Sequence, residues 1–177
     1  MDKTQFGVMR GVGLAMLTTL AVFAVSITYG PRFLTISADL SSRGSLAAWA
    51  VLLPASALFV CIARLATHRF FTPADIQGSG LTAGTDRAKL LQALLQNTLE
   101  QCGLAVPVYI AASVIAPAPL LPLVPCAAAM FLIGRLFFFA GYENGAPARA
   151  YGFGMTFYPT VLLLLFVVAL GAWALAG

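Results

Sequence analysis

Charged residues are scarce in this chain. Of its 177 residues only 9% are Asp, Glu, Lys or Arg, whereas a soluble globular domain has about 25%, and 60% are hydrophobic. Because this number of charges is too small to cover a surface that faces water, the composition argues against a soluble protein and predicts an integral membrane protein. We expect its spans to be helices, because a helix satisfies its own backbone hydrogen bonds in lipid.

Histidine, cysteine and the usual catalytic motifs are also rare. The one histidine is His68, and the three cysteines stand alone in apolar runs with no CxxC spacing. This pattern predicts no metal site and favours cysteines buried as small hydrophobic side chains. The Gly-Phe-Gly at 152–154 lacks the strand and helix of a phosphate loop. The net charge of +4 fits the basic cytoplasmic loops of membrane proteins, so no nucleic-acid partner is expected.

Long apolar runs are what the chain has instead. Five runs are each longer than the roughly 20 residues that a helix needs to cross the hydrocarbon core of a membrane. They cover 9–30, 45–70, 89–115, 119–142 and 154–176. The first is too long for a typical signal peptide and is interpreted as a span. Short connectors are expected at 31–44, 116–118 and 143–153, and a longer polar loop at 71–88.

The basic residues predict how the five spans are oriented. One side of the membrane receives eight of the ten, namely Lys3, Arg10, Arg64, Arg69, Arg87, Lys89, Arg135 and Arg149. The other side receives only Arg32 and Arg43. The positive-inside rule then places the amino terminus in the cytoplasm and the carboxyl terminus on the opposite side. Most acidic residues fall on the cytoplasmic half too, so ionisable chemistry is expected at one end of the bundle.

Polar side chains inside two spans are the strongest functional signal, because ionisable groups in lipid are costly. In the third span, Asn97 and Glu100 belong to a polar face with Lys89, Gln92 and Gln96. In the fourth, Arg135 and Tyr142 share a face. Glu100 and Arg135 lie at similar depth, which predicts an ion pair between them. Such a pair also fits a purely structural role in helix register.

Two further residues have simple alternative explanations. Tyr142 is also typical of a tyrosine at the membrane interface, and Arg149 of a basic residue in the loop before the last span. Their spacing from Arg135 is more specific. The stretch 135–153, RLFFFAGYENGAPARAYGF, resembles the third-to-fourth helix signature of the MAPEG superfamily, the membrane-associated proteins of eicosanoid and glutathione metabolism. Asn97-x-x-Glu100 resembles its second-helix motif, and Arg64 with the following 71–75 the end of its first helix.

The resemblance covers roughly 45–176 and implies a fold. The chain would be an all-α membrane protein, with a left-handed four-helix bundle over 45–177 and one additional transmembrane helix and loop over 1–44. Relatives are homotrimers that bind glutathione between subunits at the cytoplasmic end. By position, Asn97, Glu100, Tyr142, Arg64 and Arg135 would bind or orient glutathione, although Arg69 fits the first-helix position as well as Arg64. Arg149 would stabilise the thiolate.

Two departures from the family pattern leave alternatives open. Ala93 replaces an arginine, and Phe138 replaces a histidine or tyrosine that many members have, although Arg87 and Lys89 are near enough to compensate for the lost charge. The first hypothesis is a glutathione-dependent transferase or peroxidase that acts on lipophilic electrophiles in the bilayer. The alternative is a non-catalytic scaffold or accessory subunit that keeps the fold and the buried Glu100–Arg135 pair. A channel is disfavoured, because the polar residues gather at one end.

Overall fold

The computed structural model describes residues 2–34, 36–37, 39–78 and 80–176, and within them the protein is a bundle of five long helices. Helix α1 covers Lys3–Phe33, α2 Leu40–Phe71, α3 Asp86–Ile115, α4 Leu123–Gly141 and α5 Ala146–Ala176. By length and composition, five segments are able to cross a membrane, so the predicted all-α, multi-pass architecture with an extra N-terminal helix is confirmed.

The connection before α5 is shorter than the sequence predicted. The loop was expected at 143–153, but α5 begins at Ala146, and a 3₁₀ turn over Tyr142–Asn144 joins it to α4. Gly145 makes the chain reversal with a φ of 90°, a backbone conformation that residues other than glycine rarely adopt. Arg149 therefore lies on the first turns of α5 and not in a loop, so the helix fixes its direction.

The helices pack in two pairs, with α1 against one of them. Helix α2 packs against α3, α4 packs against α5, and α1 lies along α5. Small residues bring α4 and α5 together, since a Cβ added to Gly134 would lie 2.9 Å from the carbonyl oxygen of Gly152. Close backbone approach of this kind is how membrane helices gain packing energy without a hydrophobic driving force.

Helix α1 is joined to α5 by a row of small residues on its inner face. A Cβ on Gly11 would lie 2.8 Å from the Cβ of Ala150, and one on Gly7 would lie 2.8 Å from the Cβ of Pro147. One helical turn further on, Ala15 is fully buried against Gly154. These contacts leave no room for a larger side chain, so the position of α1 on α5 is tightly defined.

Five helix termini gather at one end of the molecule, which we call the basic end. It contains the start of α1, the end of α2, the start of α3, the end of α4 and the start of α5. At the opposite end, Arg43 donates hydrogen bonds to the carbonyl oxygens of Ser113, Val114 and Ala116, at 3.2, 2.9 and 2.8 Å. Arg43 thereby caps the last turn of α3, whose carbonyls have no partner within the helix.

Candidate functional site

A buried arginine connects three helices near the basic end. Arg135 on α4 has no exposed surface. Its Nη1 donates to Oδ1 of Asn97 on α3 at 2.8 Å, and its Nη2 donates to Oγ1 of Thr156 on α5 at 2.6 Å. The guanidinium also lies 4.4 Å from the centroid of the Phe138 ring. A charge in this position is costly unless it is well bonded, so these contacts hold the three helices in register.

The predicted ion pair between Glu100 and Arg135 is wrong for the single chain. Glu100 is exposed, and its Oε1 accepts a hydrogen bond from Nε2 of Gln96, one turn earlier on α3, at 3.0 Å. Asn97 occupies the place opposite Arg135 instead. Residues three apart on a helix differ by about 60° in direction, so the rotation of α3 decides which of them meets the arginine. That rotation turns Glu100 outward.

Three of the predicted site residues line one pocket at the basic end. The pocket has a volume of about 340 Å³, which falls within the usual range of small-molecule sites. Asn97, Tyr142 and Arg149 provide its polar surface. Its apolar lining comes from α1, α4 and α5 and consists of Val8, Val12, Phe138, Ala146, Ala150 and Phe153. We call Asn97, Tyr142 and Arg149 the polar part of this lining and the other residues its apolar part.

The polar part is arranged by neighbours that lie behind it. Since Oδ1 of Asn97 accepts from Arg135, the group that Asn97 has to offer a ligand is its Nδ2 amino group, a hydrogen-bond donor. The guanidinium of Arg149 lies over the Tyr142 ring, 4.1 Å from its centroid. A cation over an aromatic face is attracted by the ring quadrupole, so Tyr142 holds Arg149 in the pocket wall.

The pocket is electropositive. Arg149 lines it and Arg135 lies directly behind Asn97, and neither guanidinium is within salt-bridge distance of a carboxylate in the described residues. Glu143, beside Tyr142 in sequence, pairs instead with Arg87 at 2.7 Å on the surface. The Nε of Arg135 is buried with no hydrogen-bond partner in the same part of the chain. The field at the pocket therefore favours an anionic ligand.

Arg64 does not reach this pocket. It lines a separate groove of about 400 Å³ between α2 and α3, together with Thr67, His68 and Arg87. Arg69, the other candidate for the first-helix arginine, donates to Oε1 of Gln92 at 3.1 Å and lines a third pocket of about 390 Å³ with Lys89 and other residues. Within one chain, Arg64 and Glu100 are thus not among the residues that line the pocket of Asn97, Tyr142 and Arg149.

A hydrogen-bonded cluster fixes the start of the α2–α3 loop beside these grooves. Asp75 is 2% exposed; its Oδ2 accepts from Oγ1 of Thr85 at 2.6 Å, its Oδ1 accepts from the Thr85 backbone N–H at 2.7 Å, and Nε2 of His68 lies 2.9 Å from Oδ2. The Thr85 hydroxyl, then its backbone N–H, hold the pKa of Asp75 below its usual value, with a smaller contribution from His68 and against the effect of burial. His68 is therefore part of a loop clamp.

The sequence interpretation missed several of these residues. Thr156 and Phe153 follow Arg149 at helical spacing, so a continuous α5 through Arg149 would have identified them. Val8 and Val12 gave no signal, because α1 is apolar on nearly all sides. No cluster of three metal-ligating side chains occurs among the residues that the structure describes.

Comparison with known proteins identifies a family. The sequence model described as MAPEG family matches residues 46–170, which is more than half of the chain and includes α3, α4 and the pocket residues Asn97, Tyr142 and Arg149. Helix α1 lies outside the matched region. Neither an individual curated protein nor a solved structure matches the chain.

Proposed function

Since the chain belongs to the MAPEG family, we propose that it is a glutathione-dependent transferase or peroxidase for lipophilic electrophiles dissolved in the bilayer. One observation carries the proposal. The pocket combines the amide donor of Asn97 with the cation of Arg149, which is held by an aromatic ring, and it lies in a membrane-spanning bundle. Among the described residues, no carboxylate lies within salt-bridge distance of that cation. Such a pocket suits a small anionic thiol beside an apolar co-substrate.

The chemistry assigned to each residue follows from its position. Arg149 stabilises the thiolate of glutathione, because a cation beside a thiol lowers the pKa of that thiol, and the thiolate is the nucleophile. Asn97 donates from Nδ2 to an oxygen of the peptide, and Tyr142 holds Arg149 and offers its hydroxyl. In transfer, the sulfur forms a bond to an electrophilic carbon, whose leaving group departs with the bonding electron pair. In the peroxidase reaction, two glutathiones become the disulfide and a hydroperoxide becomes an alcohol and water.

We infer that the working unit is a homotrimer. Glu100 is exposed on a membrane-spanning helix, where a carboxylate in contact with lipid is unfavourable by about 2.5–3.5 kcal/mol. Seating a second copy of the chain against this face of α3 removes Glu100 from lipid. Native mass spectrometry in mild detergent tests this inference, since a trimer mass supports it and a monomer mass contradicts it.

The proposed orientation places the basic end in the cytoplasm, where glutathione is abundant and where the positive-inside rule puts Arg64, Arg69, Arg87 and Arg149. A reporter fused to the carboxyl terminus checks it. A reporter that is active only in the cytoplasm is expected to be inactive after Gly177.

A non-catalytic scaffold is the second candidate, and two observations favour it. Arg135 is engaged in contacts that join three helices, and Phe138 lies in the pocket wall where many members have a polar ring. In that case the bundle serves as a membrane scaffold or accessory subunit, and the pocket binds no thiol.

Glutathione titration of the purified protein in detergent separates the two candidates. For the enzyme, we expect saturable binding with a thiolate absorbance that disappears in Arg149→Ala and binding that weakens in Asn97→Ala. Arg10→Ala removes the same charge from an exposed site on α1 outside this pocket and serves as the control. Absence of binding at millimolar glutathione would reject the enzyme and leave the scaffold.

A further inference from the structure

Helix α1 contributes two side chains to the pocket although it lies outside the region shared with the family. Val8 and Val12 are one helical turn apart on α1, and both line the pocket that contains Asn97 and Arg149. The MAPEG family match begins at residue 46, so this wall is a feature of the present chain.

The position of this wall is fixed. Gly7 and Gly11, the residues before Val8 and Val12, are in close contact with Pro147 and Ala150 on α5, and the next turn is closed by Ala15 against Gly154. The hydroxyl groups of Thr18 and Tyr151 lie 3.3 Å apart along the same interface. Helices packed this closely do not slide along each other, so Val8 and Val12 keep their positions in the pocket wall.

The two valines belong to the apolar part of the pocket lining. Phe138 on α4 and Phe153 on α5 complete this part of the lining. A ligand whose polar head lies at Asn97 and Arg149 would therefore direct an attached hydrocarbon group between these rings and α1.

We propose that α1 forms the subsite for the hydrophobic group of the second substrate, and that Val8 and Val12 determine how large a group the pocket accepts. This inference rests on the proposed function, because it takes the polar part of the pocket as the glutathione site. The substrates it selects are electrophiles with an alkyl or alkenyl chain, since both valines present apolar surface and their β-branched side chains are confined to few χ1 rotamers.

S-alkyl derivatives of glutathione test this directly, since they join the polar head to a chain of chosen length. In the wild-type protein we expect affinity to rise from S-methyl to S-propyl to S-hexyl glutathione, by up to about fourfold for each methylene removed from water. In Val12→Phe the S-hexyl derivative is expected to bind on the order of tenfold more weakly, with S-methyl binding little changed, because an added ring fills the space.

Two further variants guard against misfolding and nonspecific effects. Val8→Thr and Val12→Thr keep the side-chain shape and replace one methyl group with a hydroxyl, so they should flatten the dependence of affinity on chain length without loss of the folded protein. Leu17→Phe changes an exposed side chain elsewhere on α1 and should behave as wild type. Unfolding temperature in the same detergent confirms that each variant is folded.

The outcomes are distinct. A chain-length dependence that is reduced in the Val8 and Val12 variants but not in Leu17→Phe supports the inference. An unchanged dependence in Val12→Phe and both threonine variants overturns it while the glutathione site stands. If neither glutathione nor any derivative binds the wild-type protein, the proposed function and the subsite fail together.

Discussion

Asn97 and Arg135 are joined by a 2.8 Å hydrogen bond between α3 and α4, and this contact sets the direction of the Asn97 amide in the pocket. The bond uses the carbonyl oxygen of Asn97 and leaves its amino group as the donor for a ligand. Arg135 is thus a positioning residue, and Thr156 completes its support on α5.

Removing the second acceptor of Arg135 should be costly. In Thr156→Val, the Nη2 of a fully buried guanidinium loses its partner, and we expect the free energy of unfolding to fall by about 1–3 kcal/mol. Denaturant unfolding in detergent measures it. Thr28→Val is the matched control, because the Thr28 hydroxyl is exposed and bonds only within its own helix. Equal stability of the two variants would contradict the assigned role of Thr156.

The stack of Arg149 on Tyr142 should depend on the ring and not on the hydroxyl. Tyr142→Phe keeps the aromatic face, so the thiolate absorbance of bound glutathione is expected to persist. Tyr142→Leu removes the aromatic face and with it a cation–π interaction with Arg149 of about 0.5–2 kcal/mol. The thiolate absorbance should therefore fall when it is measured at the same pH. The same thiolate signal in both variants would show that Tyr142 does not hold Arg149.

Helix α1 offers a pair of glycines that differ only in their surroundings. Gly11→Leu places a side chain where a Cβ already lies 2.8 Å from Ala150, so we expect a loss of about 1–3 kcal/mol. Gly13→Leu meets nothing within 4 Å and replaces a poor helix former, so it should be neutral or gain up to about 1 kcal/mol. Thermal unfolding compares them, and the reverse ranking would refute this placement of α1.

Arg43 should stabilise the opposite end of the bundle. Arg43→Ala leaves the carbonyl groups at the end of α3 without their donor, and a decrease of about 1–3 kcal/mol in the free energy of unfolding is expected. Arg32→Ala removes the same charge from the exposed last turn of α1 and should have little effect. If Arg43→Ala and Arg32→Ala lower the free energy of unfolding equally, the loss reflects the removed charge and not the capping of α3.

Acid should release the loop clamp at Asp75. The pKa of Asp75 is lowered in the folded state, so its contribution to stability is complete above the ordinary aspartate pKa of 3.8 and is lost as pH falls through the lower folded value. Unfolding measured from pH 7 down to about pH 2.5 should show this loss in the wild type and a smaller one in Asp75→Asn. The exposed Asp86→Asn is the control, and a pH dependence unaltered by Asp75→Asn would rule out the clamp.

Much of the fold was predictable because apolar length is a local property of the sequence. Four predicted spans lie within α1, α2, α3 and α5, and the fourth, 119–142, lies within the candidate span Ala118–Asn144 that contains α4. The resemblance around Asn97 and Arg135 agrees with the family match. The loop before α5 was predicted too long, because the polar residues between Glu143 and Arg149 are compatible both with a loop and with the first turns of a helix.

The candidate site was predictable in only part of its members, since Asn97, Tyr142 and Arg149 line the pocket whereas Arg64 and Glu100 do not. The spacing of Asn97, Tyr142 and Arg149 put them at one end, and the structure brings them to one pocket. The partner of Arg135 was predicted wrongly, since a carboxylate is the better counter-ion in principle. Packing of α3 against its neighbours turned the amide inward and the carboxylate outward, and no property of the α3 sequence alone determines that rotation.

Hydropathy and motif spacing can be read directly along the chain, and they predict five membrane-spanning helices, the concentration of charges at one end and membership of the MAPEG family. The hydrogen bonds of Arg135 to Asn97 and Thr156, and the place of Val8 and Val12 in the pocket wall, could not be predicted in this way. Those relations arise from close contacts between small residues of different helices, which fix rotation and depth only when the helices pack together.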